Sequence, residues 1–152
     1  MKKICLIASS GGHFEQLMML KPLKKNNDIF IITEKTKYLI CDEEIKKYYL
    51  CQVNRKEFTF IFRIIINVIK SLVIFIKEKP DVIISTGVLA TIPMCIIGKV
   101  FRKKIIYIES FAKINSPTLT GKFLYKFADQ FYIQWEELRK FYPNSIFKGG
   151  IY

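Results

Sequence analysis

The sequence predicts an α/β fold: a Rossmann-like domain with a parallel sheet. Short apolar runs rich in Ile and Val alternate with helical segments along the chain, which is typical of strands joined by crossover helices. A turn with two glycines follows the first run, where open α/β sheets bind ligands. No repeat and no Pro- or Ser-rich linker interrupts the 152 residues, so residues 1–152 are expected to form one domain.

The predicted elements follow the positions of these runs. The strands are placed at Lys3–Ala8, Ile29–Thr33, Tyr48–Gln52, Val82–Ser85, Ile105–Ile108 and Gln130–Ile133. The helices are placed at Phe14–Leu23, Phe58–Lys77, Leu89–Phe101, Thr120–Phe127 and Trp135–Phe141. Because parallel strands end at one edge of a sheet, residues 9–13, 85–87 and 109–110 are expected to meet in one cleft.

The turn after the first strand is the clearest functional feature. It reads SSGGHFE over residues 9–15 and holds the only histidine of the sequence. Glycines allow backbone N–H groups at a helix start to approach a phosphate, and an imidazole ordinarily titrates near pH 6.5. A tight connection with a surface histidine is the alternative. The turn departs from Gly-x-Gly-x-x-Gly, so NAD binding is not expected, although Glu34 ends the second strand.

Composition points to an anionic, apolar environment. The formal net charge is +12, the isoelectric point is near 9.6 and 51% of the residues are hydrophobic. Basic nucleic-acid binders are seldom so apolar, and no RNA-recognition motif is present, whereas an anionic membrane surface suits both properties. The four cysteines lack C-x-x-C spacing, so neither a zinc site nor another cofactor is expected. No signal peptide is recognised, and a cytoplasmic location is expected.

Residues 58–77 are unusually apolar for a helix that packs on a sheet. Twenty helical residues reach about 30 Å, but Arg63 and Lys70 would each cost roughly 2.5 to 3.5 kcal/mol near a bilayer centre. We therefore expect an interfacial helix that lies in the membrane plane, with packing on the sheet or on a partner as alternatives. The residues expected at the membrane are Phe58, Phe62, Arg63, Ile65, Ile69, Lys70 and Phe75.

Several motifs in order resemble a known family. They are SGGHFE at 10–15, KPDVIISTG at 79–87, IESFA at 108–112, LTGK at 119–122, QWEEL at 134–138 and FKGGIY at 147–152. Together they resemble the acceptor-binding, membrane-associated subunit of two-part GT-B glycosyltransferases. Members include the non-catalytic half of the dolichol-pathway N-acetylglucosaminyltransferase and subunits of bacterial capsule and exopolysaccharide synthesis.

The resemblance implies a function and a set of site residues. The chain would be the N-terminal half of a GT-B enzyme, acting on a polyprenyl-diphosphate-linked saccharide at the cytoplasmic face of the membrane. A separate donor-domain subunit would bind the nucleotide sugar. The alternative is a non-catalytic scaffold that recruits this subunit. The candidate catalytic residues are His13, Glu15 and Glu109, although Glu109 suits a loop cap equally well. The candidate acceptor and diphosphate contacts are Ser10, Gly11, Gly12, Ser85, Thr86, Gly87 and Ser110.

Overall fold

Seven parallel strands form one sheet in the computed structural model, which describes residues 1–35, 45–54 and 57–152. The strands are β1 (Lys3–Ala8), β2 (Asp28–Glu34), β3 (Lys46–Leu50), β4 (Val82–Gly87), β5 (Lys104–Ile108), β6 (Gln130–Ile133) and β7 (Ile146–Phe147). Their order is β3-β2-β1-β4-β5-β6-β7. The order reverses direction between β1 and β4, and this is the point at which open α/β sheets form ligand clefts.

Four α-helices and three short 3₁₀ segments connect the described strands. The helices are α1 (Gly12–Met18), α2 (Phe60–Glu78), α3 (Ile92–Val100) and α4 (Leu119–Leu124). The 3₁₀ segments are Lys21–Lys25, Leu89–Thr91 and Glu136–Lys140. The predicted α/β fold is confirmed, and all six predicted strands are present.

Several elements differ from the prediction: the predicted helix 135–141 is a 3₁₀ segment, and three other differences have local reasons. The predicted helix 14–23 ends at Met18, and the 3₁₀ segment that follows contains Pro22, which lacks a backbone donor. The third strand ends at Leu50 rather than Gln52, because the Cys51 backbone bonds instead to the Asn67 side chain. Strand β7 was not predicted, since its two residues are too few to show the alternation of apolar and polar residues that is typical of a strand.

Successive side chains of a strand point to opposite faces of the sheet, and this divides the core into two layers. In β1, Cys5 and Ile7 face the layer that contains residues of α2, α3 and α4, while Leu6 faces the layer beneath α1. Cys95 lies in the first layer, and Cys5 and Cys95 are both buried free thiols, as expected of small core residues. Cys41 lies outside the described residues.

Helix α2 turns a stripe of polar side chains inward and most of its apolar side chains outward. Asn67 is fully buried, and its amide donates to the Cys51 carbonyl at 2.9 Å while its oxygen accepts from the Cys51 N–H at 2.8 Å. Arg63 Nη1 donates to the Gln52 carbonyl at 2.9 Å. The outward residues are Ile61, Phe62, Ile65, Val68, Ile69, Leu72, Val73 and Ile76.

This orientation corrects two details of the expected membrane helix. Phe75 was predicted at the membrane but is 5% exposed, because it packs in the core with its ring 4.9 Å from that of Phe101. Arg63 and Lys70 were expected at the lipid headgroups, yet both contact the backbone that leaves β3. Phe58, Phe62, Ile65 and Ile69 are exposed as expected.

The opposite end of α2 is fixed by a buried carboxylate. Glu78 binds Lys3 of β1 at 2.7 Å and Lys46 of β3 at 2.6 Å, and it accepts a hydrogen bond from Tyr48. Burial by itself would raise the pKa of Glu78, but these three donors outweigh it and lower the pKa to about 2. One carboxylate therefore connects the helix to two strands.

We expect Glu78→Gln to weaken the fold in a pH-dependent way. A carboxylate whose pKa is depressed in the folded state stabilises it above its unfolded pKa of about 4.3, and this contribution fades as the pH falls towards 2. Denaturant unfolding at pH 7 and at steps down to pH 3 should show a stability gap between wild type and variant that narrows with acid. Glu137→Gln, at an exposed carboxylate, is the control. A gap that stays constant with pH would contradict this assignment.

Candidate functional site

The predicted glycine turn lies beside the end of β4. The N–H of Ser9 donates to the Gly87 carbonyl at 3.0 Å, which joins the end of β1 to the end of β4. Gly11 has φ +77°, and its carbonyl accepts from the N–H groups of Phe14 and Glu15 at the start of α1. A positive φ favours glycine, so the sequence places a glycine where this turn requires one.

His13 is held by two reciprocal hydrogen bonds with Thr86. Its ring Nδ1 lies 2.7 Å from the Thr86 carbonyl, and the Thr86 hydroxyl donates to the His13 carbonyl at 2.8 Å. Because a carbonyl only accepts, Nδ1 carries the proton, and the lone pair of a neutral imidazole is then on Nε2. The residue is partly exposed. A fixed ring with an available Nε2 is the arrangement that a general base requires.

Gly87 ends β4 in a backbone conformation that favours glycine. Its φ is +103°, and a Cβ built there would lie 3.3 Å from the Tyr107 hydroxyl and 3.5 Å from the His13 ring. A side chain at position 87 would therefore be strained and tight against the Tyr107 hydroxyl, whereas its distance to the His13 ring is an ordinary contact. Gly87 is buried and lies beneath the His13 ring, so it contributes to the shape of the site.

Most predicted contacts at the ends of β4 and β5 have internal partners. Ser85 is fully buried, and its hydroxyl donates to Thr91 Oγ1 and accepts from the Gly87 N–H. Thr86 is also fully buried, and Ser110 is 6% exposed. The prediction that these three residues and Gly87 contact an acceptor directly is therefore not retained. Ser10, Gly11 and Gly12 remain candidates, because they are partly or fully exposed.

Glu109 is a fully buried carboxylate that holds a loop in place. Its Oε1 accepts from the Ser110 N–H at 2.8 Å and from the Thr118 hydroxyl at 2.8 Å. Its Oε2 accepts from the Tyr142 hydroxyl at 2.6 Å. Burial and the adjacent carboxylate raise the pKa of Tyr142 well above its usual range, so the phenol remains a donor. This geometry favours the loop-cap alternative over the catalytic one.

Glu34 has a role that the sequence analysis missed. It is 6% exposed at the end of β2, and its carboxylate accepts from the Val53 N–H at 3.4 Å and from both the N–H and the hydroxyl of Ser10. Burial raises its pKa, and these hydrogen bonds act in the opposite direction. Glu34 therefore connects the glycine turn to the segment after β3. Its place at a strand end was visible, but the contact with Ser10 depends on the pairing of β1 with β2.

Glu15, a predicted catalytic residue, is not the group that orients the His13 ring. The acceptor at Nδ1 is the Thr86 carbonyl, and Glu15 lies exposed on α1. Within residues 1–35, 45–54 and 57–152, no three His, Cys, Asp or Glu side chains are grouped as metal ligands would be. No helix in the same ranges is long and apolar enough to cross a membrane.

Sequence comparison identifies the family. The family described as "Oligosaccharide biosynthesis protein Alg14 like" matches residues 4–151. The chain belongs to this family. It is similar to the UDP-N-acetylglucosamine transferase subunit ALG14 of mouse, with 25% identity over 179 residues, covering 98% of this chain and 82% of that protein. Its match to the ALG14 subunit of rat is 28% identical and covers 71% of this chain and 56% of that protein.

Structural comparison identifies the same fold in larger chains. The domain matches MurG of Acinetobacter baumannii with a TM-score of 0.75 and 15% identity, over 90% of this chain and 43% of that one. It matches a UDP complex of MnaA from S. aureus with a TM-score of 0.74 and 15% identity, over 99% and 44%. The chain thus spans less than half of each solved chain. The predicted correspondence to the N-terminal, Rossmann-like half of a GT-B enzyme is confirmed as a fold.

Removing the Glu109 network should damage the fold of this family member. Tyr142→Phe leaves Glu109 Oε2 without its 2.6 Å donor, and Glu109→Gln places an amide among donors that need an acceptor. We expect each change to lower the free energy of unfolding by about 1 to 3 kcal/mol, the usual cost of an unsatisfied buried group. Urea unfolding measures it. Tyr152→Phe, at an exposed tyrosine, is the control, and unchanged stability in both buried variants would contradict the loop-cap role.

A side chain at position 87 should strain the end of β4. We expect Gly87→Ala to lower the free energy of unfolding by about 1 to 3 kcal/mol, because φ +103° is strained for alanine. Urea unfolding measures this loss. Gly12→Ala is the matched control, since a Cβ there has no atom within 4 Å and its φ is not in the positive region. Equal effects of the two substitutions would argue against a special role for Gly87.

Proposed function

We propose that the chain is the acceptor-side subunit of a heteromeric, nucleotide-sugar-dependent glycosyltransferase. Its substrate would be a saccharide linked to a polyprenyl diphosphate, and a separate donor-domain subunit would bind the nucleotide sugar. The observation that carries this proposal is the family match over residues 4–151 on a fold that forms less than half of the GT-B-type chain MurG. The ALG14 relatives are named as subunits of a UDP-N-acetylglucosamine transferase, which supports a role beside a second chain.

The glycine turn is the proposed acceptor contact. A glycosyl acceptor needs a base that removes a proton from its attacking hydroxyl, and His13 Nε2 is a group of suitable chemistry at neutral pH. Gly11 and Gly12 lie beside it and are exposed, and Ser10 is partly exposed. Glu109 is too deeply buried to reach an acceptor hydroxyl. We assign the base to His13 and leave Glu109 as a structural group.

The outward face of α2 is the proposed membrane contact. Its eight exposed apolar residues recur at spacings of three and four, and α3 extends the surface with Val100, 71% exposed, and Phe101, 52% exposed. Contiguous apolar surface of this kind is unusual on a soluble protein. The net charge of +12 suits an anionic membrane. We therefore propose peripheral attachment at the cytoplasmic face.

The biological setting rests on the sequence motifs. We propose capsule or exopolysaccharide synthesis as the setting, because the motif set resembles bacterial subunits of that kind, while the relatives compared above are eukaryotic. A second candidate function is a non-catalytic scaffold that recruits and activates the donor-domain subunit. The Thr86 carbonyl favours the first candidate, because it orients the ring and leaves Nε2 as the proton acceptor.

Substituting His13 distinguishes these two functions. We expect His13→Ala to retain folding and partner binding while lowering the turnover of the two-subunit complex by roughly 10² to 10⁴, the usual contribution of a general base. The activity of the wild-type complex should fall in acid, because a protonated imidazole cannot accept a proton, and this acid limb should vanish in the variant. Glu15→Ala is the control and should change turnover far less. Near-normal turnover of His13→Ala with its pH limb intact would support the scaffold.

Polar substitution of the α2 face tests attachment. We expect Phe62→Ser/Ile65→Ser/Ile69→Ser to lose most binding to anionic vesicles in a flotation assay, because each change removes an exposed apolar side chain. Met19→Ser/Ile114→Ser/Phe141→Ser removes three exposed apolar residues elsewhere and should bind as the wild type does. If the wild-type protein does not float with vesicles at low salt, the attachment proposal is wrong.

A further inference from the structure

A cationic pocket lies between α2 and the chain that leaves β3. Its volume is about 490 Å³, and its wall includes Lys35, Arg63 and Lys70 together with the backbone of residues 49–52. Lys35 follows β2, and its N–H donates to the Leu50 carbonyl at 3.3 Å. The pocket therefore lies at the carboxyl ends of β2 and β3, on the same edge of the sheet as the glycine turn.

The charges around this pocket are unbalanced. Lys70 Nζ lies 3.5 Å from the Tyr49 carbonyl and 3.5 Å from Cys51 Sγ, and both of these acceptors are neutral. Arg63 Nη2 pairs with Glu57 at 3.1 Å. Among the described residues, the pocket thus has three cationic side chains, and one carboxylate, that of Glu57, forms a direct ion pair with one of them. An anion that enters the pocket would meet a net positive charge.

Arg63 and Lys70 converge because of the helix geometry. They are seven residues apart, two turns and about 10 Å along the axis, and therefore lie on the same side of α2. Their charged ends both turn towards the backbone after β3. A guanidinium forms paired hydrogen bonds to phosphate oxygens, and lysine ammonium groups supply point charges beside it. The donor set suits a phosphate group.

The rim of the pocket is continuous with the outward apolar face of α2. Phe62 and Ile66 line the pocket, and Phe62 is also 66% exposed on the face that we propose to contact the membrane. A molecule with a phosphate in the pocket and a hydrocarbon chain could place that chain along Ile65 and Ile69. A soluble phosphate compound would leave this apolar rim uncovered.

The other side of the pocket leads to the glycine turn. Strand β3 is two strands from β1, about 10 Å at the usual spacing. Val53, just past the pocket, donates to Glu34, and Glu34 accepts from Ser10. The pocket and the glycine turn therefore lie on one edge of the sheet and are connected through Glu34.

We propose that the pocket bounded by Lys35, Arg63 and Lys70 binds the phosphate group of a membrane lipid, with the lipid chain along α2. The proposal rests on the proposed membrane attachment and adds a defined anion site to it. The phosphate has two sources of the same chemistry, an acidic phospholipid headgroup and the polyprenyl phosphate end of the acceptor. The position of the pocket on the same sheet edge as the glycine turn favours the second source.

Vesicles of three compositions test the proposal. They are phosphatidylcholine alone, phosphatidylcholine with phosphatidylglycerol, and phosphatidylcholine with polyprenyl phosphate. We expect Arg63→Gln/Lys70→Gln to bind vesicles of one or both phosphate-enriched compositions roughly 30-fold more weakly than wild type, at about fivefold for each charge near the surface. Binding to phosphatidylcholine alone should change little. The composition that shows the loss identifies the source of the phosphate.

Two control variants separate a pocket from diffuse charge and from misfolding. Lys77→Gln/Lys79→Gln removes two charges from the end of α2, outside the pocket, and should lose much less binding. An equal loss in this control would overturn the proposal in favour of diffuse attraction. Arg63→Lys/Lys70→Arg keeps both charges and should retain binding, which separates charge from a failure to fold. A loss as large as that of the glutamine pair would also overturn the proposal.

The membrane proposal and the pocket proposal fail in different ways. If the wild-type protein binds phosphatidylcholine vesicles but gains nothing from either phosphate lipid, the pocket proposal is wrong and the apolar attachment stands. If the protein binds no vesicle, both are wrong. Release from phosphate-lipid vesicles by inorganic phosphate, but not by chloride of equal ionic strength, would show a site for free phosphate and would overturn the lipid assignment.

Discussion

The hydrogen bonds between α2 and the backbone after β3 determine which surface this domain presents. β3 is the edge strand of the sheet, and the chain that leaves it has backbone groups that must be paired. Asn67 satisfies both groups of Cys51, and Arg63 satisfies the Gln52 carbonyl. Since these polar residues share one side of α2, that side of the helix must face inward. Most of its apolar residues are then left outside, although Ile74 and Phe75 pack in the core.

The exposed face and the cations contribute differently to membrane binding. Burying a large apolar side chain contributes about 1.5 to 3 kcal/mol when it is fully exposed beforehand, so the eight half-exposed residues of α2 supply on the order of 5 to 10 kcal/mol before any cost of association. A lysine near an anionic surface contributes about 1 kcal/mol. The apolar face is therefore expected to dominate attachment, and the cations are expected to decide which lipids are preferred.

The sequence predicted the sheet well because its strands are buried runs of β-branched residues with glycine or proline between them. It predicted the apolar character of residues 58–77 but not the orientation of the helix. From the sequence alone, a polar stripe on a helix is expected to face solvent. In the structure, Arg63, Asn67 and Lys70 instead face the backbone of residues 49–52, because α2 packs beside β3. Phe75 was misplaced for the same reason, because its position depends on contact with Phe101.

The sequence predicted a candidate site at the strand ends, but the roles of its residues depend on contacts that only the structure shows. A carboxylate at a strand end can act as a base, bind a ligand or cap a loop, and its sequence position is the same in each case. Both carboxylate oxygens of Glu109 accept hydrogen bonds, from Ser110, Thr118 and Tyr142. Gly121, where any Cβ would collide with Glu109, completes the enclosure.

His13 differs from these carboxylates in having one ring nitrogen committed and the other available. The Thr86 carbonyl fixes the proton on Nδ1, and Thr86 itself is held in the sheet by its place in β4. The orientation of the proposed base therefore derives from the pairing of β1 with β4 and not from a mobile side chain. In the proposed two-subunit enzyme, this rigidity means that the second chain has only to bring the donor sugar to a base already oriented by the sheet.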